Sequence, residues 1–164
     1  MVKVDIFGLA LDEKSKSPIL VLKDEADTRV LPIWIGAMEA MSISMAINKV
    51  PFERPMTHDL LLNVIHDLGG TVSRVEVSSI ENGTFFAEVV VAIGGETKRI
   101  DSRPSDAIAV AVRAECPILV DEAVLEEAGA PHHEDGEAVI MTEDSDKWVD
   151  ELEKFSEEDS KYKM

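Results

Sequence analysis

The dipeptide Asn82-Gly83 constrains this chain more than any other pair of residues. It stands between TVSRVEVSSI (71–80) and TFFAEVVVAI (84–93), two runs rich in β-branched and aromatic residues. Both central positions of the tightest hairpin turn need φ above zero, and Asn and Gly reach that region at least cost. The pattern predicts a long antiparallel hairpin. Gly94-Gly95 then turns the chain into ETKRID (96–101), which completes a three-stranded meander.

An earlier stretch has the same plan. Val2, Val4 and Ile6 alternate with Lys3 and Asp5, so a strand is expected over about 2–10. ILVLK (19–23) and TRVLPIWI (28–35) follow across short polar turns, and Pro32 marks the third strand as an edge or a bulge. Gly36 ends it. In AMEAMSISMAINK (37–49), Met38, Met41 and Met45 recur at helical spacing, and the segment is apolar nearly all round, which predicts a buried helix or a subunit contact. A second helix is expected with Thr57 as N-cap, His58 at the first helical position and Asp59 in the first turn. Its apolar stripe is Leu60, Leu61, Val64, Ile65 and Leu68, with Met56 stapled on Leu61. After the second meander, Pro104 suits the first turn of a helix running to about Glu115. A short strand (117–120) and a short helix (121–129) complete the set. The two second-layer helices follow Arg-Pro pairs, in RPMTHDLLLNVI and RPSDAIAVAV. The expected fold is α+β: two β-meander-plus-helices units, a pseudo-repeat, with helices packed on an antiparallel or mixed sheet.

Residues 1–130 read as one domain and 131–164 as an acidic C-terminal extension. Trp148, Val149, Leu152 and Phe155 would form the apolar stripe of a short amphipathic helix over about 145–157. The net charge of −17 is unevenly spread: residues 1–120 hold 17 acids and 12 bases, whereas 121–164 hold 16 acids and 4 bases. Such a chain repels polyanions at long range, so any nucleic-acid function needs a local cationic site or a metal ion. Cys116 is the only cysteine, which excludes a disulfide framework. The N-terminus lacks a signal-peptide layout, and there is no long apolar run. A cytoplasmic protein without a membrane partner is expected.

Chemistry-bearing residues fall in two clusters, one isolated position and one polar loop. DSRPSDAIAVAVR places Asp101, Ser102, Arg103, Ser105 and Asp106 where a strand ends and a helix begins, a place where backbone donors converge. Arg54, Thr57, His58 and Asp59 flank the start of the other helix. Glu39 is the one acid of the Met-rich helix and must reach solvent or a partner such as Arg54 or Arg103. HHED (132–135) has metal-ligating residue types without a rigid spacing. Phosphate-loop, dinucleotide, zinc-type cysteine and serine-elbow motifs are absent from the sequence.

Together VLPIWIG with a following EA, RPMTHDLL, GTFFAEV and DSRPSDAIAVAVR resemble the bifunctional nuclease domain family, in the family's order and over about 2–130. The resemblance implies a compact, oligomeric α+β domain that cleaves RNA and DNA. With residue type, it suggests a site in which His58, Asp59, Asp101, Asp106 and Glu39 carry catalysis. Arg54, Arg103, Ser102, Ser105 and Thr57 would hold phosphate. A divalent cation, Mg²⁺ or Mn²⁺, would sit on Asp101 and Asp106, with Glu39 nearby. The expected partners are RNA or DNA and further copies of the chain, through the apolar surface of 37–49 and the Trp148, Leu152 and Phe155 stripe. The alternative is a non-catalytic oligomeric module in which RPMTHD and DSRPSD are helix caps and an Arg–carboxylate network. Burial separates the two: paired, buried residues favour the scaffold, an open cleft the enzyme.

Overall fold

A computed structural model describes residues 1–12 and 15–132; the expected helix over about 145–157 lies outside the described residues. The first meander is β1 (Val2–Leu11), β2 (Pro18–Asp24) and β3 (Arg29–Trp34); the second is β4 (Gly70–Glu81), β5 (Thr84–Ile93) and β6 (Glu96–Ser102). Asn82 and Gly83 have φ of 52° and 76°, the left-handed pair that the β4–β5 turn requires.

Both meanders belong to one eight-stranded sheet of order β6-β5-β4-β7-β1-β2-β3-β8. β7 (Ile118–Val120) lies between them, parallel to β4 and antiparallel to β1. Each meander therefore runs outward from β7, so the pseudo-repeat has become two wings of a mixed sheet. The sequence reading did not include β8 (Ala130–Pro131), whose two residues pair with Arg29 and Val30. Pro32 lies past that pairing, on the open side of β3, as a residue without an N–H should.

The helices are α1 (Ala37–Ile47), α2 (Thr57–Asp67), α3 (Pro104–Ala114) and α4 (Glu122–Ala128). α3 is central: it packs on β4 and β5 and touches both α1 and α2, which themselves reach the sheet at β2 and β4. Ala107, Ala109 and Ala111 allow this close approach, and Ala107 through Ala111 are all buried. Leu20, Leu22, Leu31, Val75, Val77 and Val89 form the sheet side of the core. Fully burying each such side chain is worth about 1.5–3 kcal/mol.

Two helix expectations need correction. α1 buries only Ala40 and Ile43, while Met38 and Ile47 are exposed, so the methionines are not core. α2 buries no residue fully: Leu62 and Ile65 pack against the core, and Leu60, Leu61, Val64 and Leu68 face outward. The N-cap is Met56 and not Thr57, because the Asp59 carboxylate accepts from the Met56 backbone N–H at 2.9 Å. Thr57 thus begins the helix, and His58 is its second residue.

Candidate active site

Three helices deliver side chains to one place. Arg103, the N-cap residue of α3, has extended backbone angles (φ −68°, ψ 145°), and Pro104 supplies the first helical φ. Asp106 follows in the first turn, where the helix dipole favours a carboxylate. Arg103 Nε donates to Asp106 Oδ2 at 2.6 Å, and its Nη1 donates to Glu39 Oε1 on α1 at 2.9 Å. Glu39 lies against the N-cap Gly36, where a Cβ would collide with its carboxylate. The other oxygen of Asp106, Oδ1, lies 3.0 Å from His58 Nε2 on α2. His58 Nδ1 is 3.0 Å from Ser42 Oγ, back on α1.

A second arginine lies behind this chain of contacts. Arg113, in the last turn of α3, donates from Nε to Asp59 at 2.6 Å and from Nη1 to the Ala109 carbonyl at 2.9 Å. Its Nη2 reaches both the carbonyl and the hydroxyl of Ser42 at 3.3 Å. Arg113 is therefore a clamp on α1, α2 and α3 together. Its side chain is 9% exposed, against 65% for Arg103. The sequence reading assigned no role to Arg113 or Ser42. Both were legible as polar groups on apolar helices, which must find partners if they are buried.

Arg103, His58, Asp106, Glu39, Ser42 and Thr57 line an open cleft of about 240 Å³, with Met38, Met41, Met45 and Met56 as its apolar wall. Burial pushes the Asp106 carboxyl up, but its hydrogen bonds to Arg103 and His58 outweigh that and hold it below the ordinary range. The Arg103 guanidinium is raised by Asp106 first and by Glu39 second. An ionised carboxylate only accepts hydrogen bonds, so His58 Nε2 carries the proton that faces Asp106.

Other predicted site residues lie elsewhere. Asp101 pairs with Glu88 in the sheet, while its neighbour Ser102 pairs with the core residue Ala87. Successive side chains alternate faces, so Asp101 points away from the helices and does not join Asp106. The Ser102 hydroxyl donates to the Arg103 carbonyl at 3.0 Å. Ser105 is buried, at the back of a neighbouring pocket that also contains Trp34 and Phe85. Arg54 is exposed on an adjoining pocket with Lys49 and Phe52, and forms no ion pair among the described residues. Asp59 is committed to the Met56 cap and to Arg113, which is structural work. His132 bonds to Asp27 at 3.0 Å and meets the Phe7 ring edge-on, closing the β8 edge; His133, Glu134 and Asp135 lie outside the described residues.

Among the described residues, no group of three or more His, Cys, Asp or Glu side chains is placed to hold a metal ion. In the cleft, Arg103 stands between the carboxylates of Glu39 and Asp106, where a cation would have to sit. As arranged, this donor set does not fit a resident Mg²⁺ or Mn²⁺.

The sequence profile of the bifunctional nuclease domain matches residues 20–133, a span that includes the whole cluster. The chain belongs to the bifunctional nuclease domain family. An uncharacterized protein of Mycobacterium tuberculosis is 36% identical over 159 residues, covering 96% of this chain and 92% of the relative. Bifunctional nuclease 2 of Oryza sativa subsp. japonica is 31% identical over 117 residues, 69% of this chain and 36% of that protein. Bifunctional nuclease 1 of Arabidopsis thaliana is 31% identical over 119 residues, 70% of this chain and 37% of that protein. The chain thus spans about a third of the length of these two plant relatives. No helix among the described residues is long and apolar enough to cross a membrane.

Proposed function

We propose that this chain hydrolyses phosphodiester bonds of RNA or DNA in the cleft between α1, α2 and the start of α3. The observation that carries the reading is the meeting of Arg103 and His58 on one carboxylate, Asp106, at an open surface. The Arg103 guanidinium, 65% exposed, gives Nε to Asp106 and Nη1 to Glu39 and leaves Nη2 to donate to a phosphate oxygen. His58, oriented by Asp106, moves the proton that bond cleavage requires. Arg54 and Lys49, on the adjoining pocket, supply positive charge to the neighbouring stretch of strand. Family membership and the plant relatives named bifunctional nucleases support the same chemistry.

An architectural role suits Arg113, which is mostly shielded from solvent and ties three helices together. It does not suit Arg103, most of which faces solvent. The direct test incubates the full chain with end-labelled single-stranded RNA and DNA, with Mg²⁺, with Mn²⁺ and with chelator. Cleavage should fall by about 10²-fold or more in His58→Ala and in Asp106→Asn. Equal rates in the wild type and both variants would remove the site from this cleft.

The same reading includes a homo-oligomer. Leu60, Leu61, Val64 and Leu68 form an outward apolar stripe on α2, and such patches mark contact surfaces.

A further inference from the structure

Ser42 is set in an arrangement that the phosphodiesterase reading leaves unused. Asp106 is held ionised, so the proton on His58 Nε2 faces Oδ1. In the neutral ring Nδ1 is then a bare lone pair, and it must accept. The group at hydrogen-bond distance is the Ser42 hydroxyl, 3.0 Å away. Ser42 therefore donates its proton to Nδ1. From the other side Arg113 Nη2, a cationic donor, lies 3.3 Å from Oγ, where it favours negative charge developing on that oxygen. The serine lines the cleft together with the exposed Arg103.

A hydroxyl bonded to a base, with that base bonded to a carboxylate, is the pattern of an activated nucleophile, recognised by geometry and not by chain order. It escaped the sequence search because the three residues come from α1, α2 and α3, far apart along the chain. The geometry points to Ser42 as the nucleophile of a two-step phosphodiester cleavage, a deepening that rests on the cleft being the hydrolytic site. In the first step Oγ attacks the phosphorus held by Arg103, and the Oγ proton passes to His58 Nδ1. The bond from phosphorus to the leaving nucleoside oxygen breaks on the opposite side, and that oxygen takes a proton from solvent water, leaving hydroxide. A nucleotide is left esterified to Ser42 through its phosphate, with the Oγ proton held on His58 Nδ1. In the second step hydroxide attacks the same phosphorus from the side the nucleoside left. The P–Oγ bond breaks and Oγ recovers its proton from Nδ1. One water is consumed and one phosphodiester bond is cleaved.

Two in-line displacements retain configuration at phosphorus, whereas direct attack by water inverts it. The full chain is given a single-stranded oligonucleotide with one phosphorothioate linkage of defined configuration, in ¹⁸O-labelled water, and the product is analysed for stereochemistry. Retention is expected; inversion overturns the proposal. Acid-quenched turnover of the unmodified oligonucleotide should show, by intact mass and peptide mapping, a nucleotide adduct on Ser42. Ser42→Ala should lower kcat on the order of 10³-fold and abolish the adduct. Ser44→Ala, on the same helix, should keep the wild-type rate. Should Ser42→Ala not fold, as judged by circular dichroism, the isosteric Ser42→Cys replaces it and is expected to turn over slowly with the adduct moved to sulfur. A wild-type rate in the folded Ser42 variant, with His58→Ala inactive, overturns the nucleophile but leaves the cleft as the site. Activity indifferent to both substitutions, or absent from the wild type, overturns both readings.

Discussion

Replacing Arg103 by alanine separates catalysis from architecture, and the structure gives a magnitude for each. The side chain makes two ion pairs, to Asp106 at 2.6 Å and to Glu39 at 2.9 Å, but is 65% exposed. Pairs in that setting contribute about 0–1 kcal/mol each, because water and salt screen them and two long side chains must be ordered. The helix start does not depend on them, since the Arg103 side chain makes no capping bond and Pro104 supplies the first φ. The loss of stability should therefore be about 1 kcal/mol, or a fall in Tm of about 2–4 °C for a domain of this size. Removing a preorganised contact to the phosphate should cost much more in rate, about 10²-fold or more in kcat/KM. The Asp106 carboxyl, without its largest favourable partner, should also rise toward the ordinary range. A thermal melt by differential scanning fluorimetry and a cleavage time course with labelled oligonucleotide, on the same preparation, read both quantities. A fall in Tm of about 10 °C or more, with residual activity proportional to the folded fraction, would refute the reasoning and make Arg103 a structural clamp. Wild-type cleavage would refute its role at phosphate.

Arg113→Ala should behave in the opposite way, losing about 2–3 kcal/mol in a denaturant titration, because Asp59 and the Ser42 carbonyl lose a part-buried donor. Arg113→Lys should recover only part of that, since an ammonium cannot reproduce the fork. Asp24 gives an acid-stability prediction. Burial raises its pKa, but hydrogen bonds from the backbone N–H groups of Arg29 and Thr28 and from their side chains lower it to about 2, from an ordinary 3.8. A depressed carboxyl stabilises the fold above its unfolded pKa and loses that contribution as pH falls. Unfolding titrations should thus show about 2 kcal/mol fading between about pH 4 and pH 2, a slope missing from Asp24→Asn. Light scattering at micromolar concentration should report a mass above that of one chain, lowered by the double substitution Val64→Lys and Leu68→Glu on the outward face of α2; a wild-type monomer would count against the oligomer.

Strand alternation and turn chemistry made most of the fold legible. Asn82-Gly83 fixed one hairpin, and the order of the remaining elements followed from runs of period two and of period near four. β8 escaped because two residues carry no period, and its pairing depends on where Arg29 and Val30 lie in space. The α2 stripe was visible, but its direction was not. Apolar side chains at helical spacing say that a face wants cover, and whether the core or another surface supplies it is decided by the packing of α3. Glu39, His58, Arg103 and Asp106, all singled out from the sequence, meet in one cleft, and Arg103 pairs with Glu39; their chemical roles belong to the proposal. Asp101 was misplaced by one step of strand parity, since adjacency to Arg103 in sequence puts it on the opposite face of the sheet. Ser42 and Arg113 were missed because each is a polar residue in a largely apolar helix, with partners that only tertiary packing brings near.

The position of β7 has a consequence for how the chain reaches this structure. Among the described residues its three are the sheet's sole bridge between the two wings, pairing Val2 with Val120 at one side and Val75 with Ile118 at the other. The N-terminal strand must therefore wait for nearly the whole described chain before its inner edge is satisfied. Closing so long a loop is entropically unfavourable and slows folding. During synthesis the first meander emerges with the inner edge of β1 bare, and an unpaired strand edge invites pairing with other chains. Lys3 and Asp5, charged and close to that edge, are the gatekeepers there. Replacing them with apolar residues should leave the finished fold nearly as stable while lowering the yield of soluble protein.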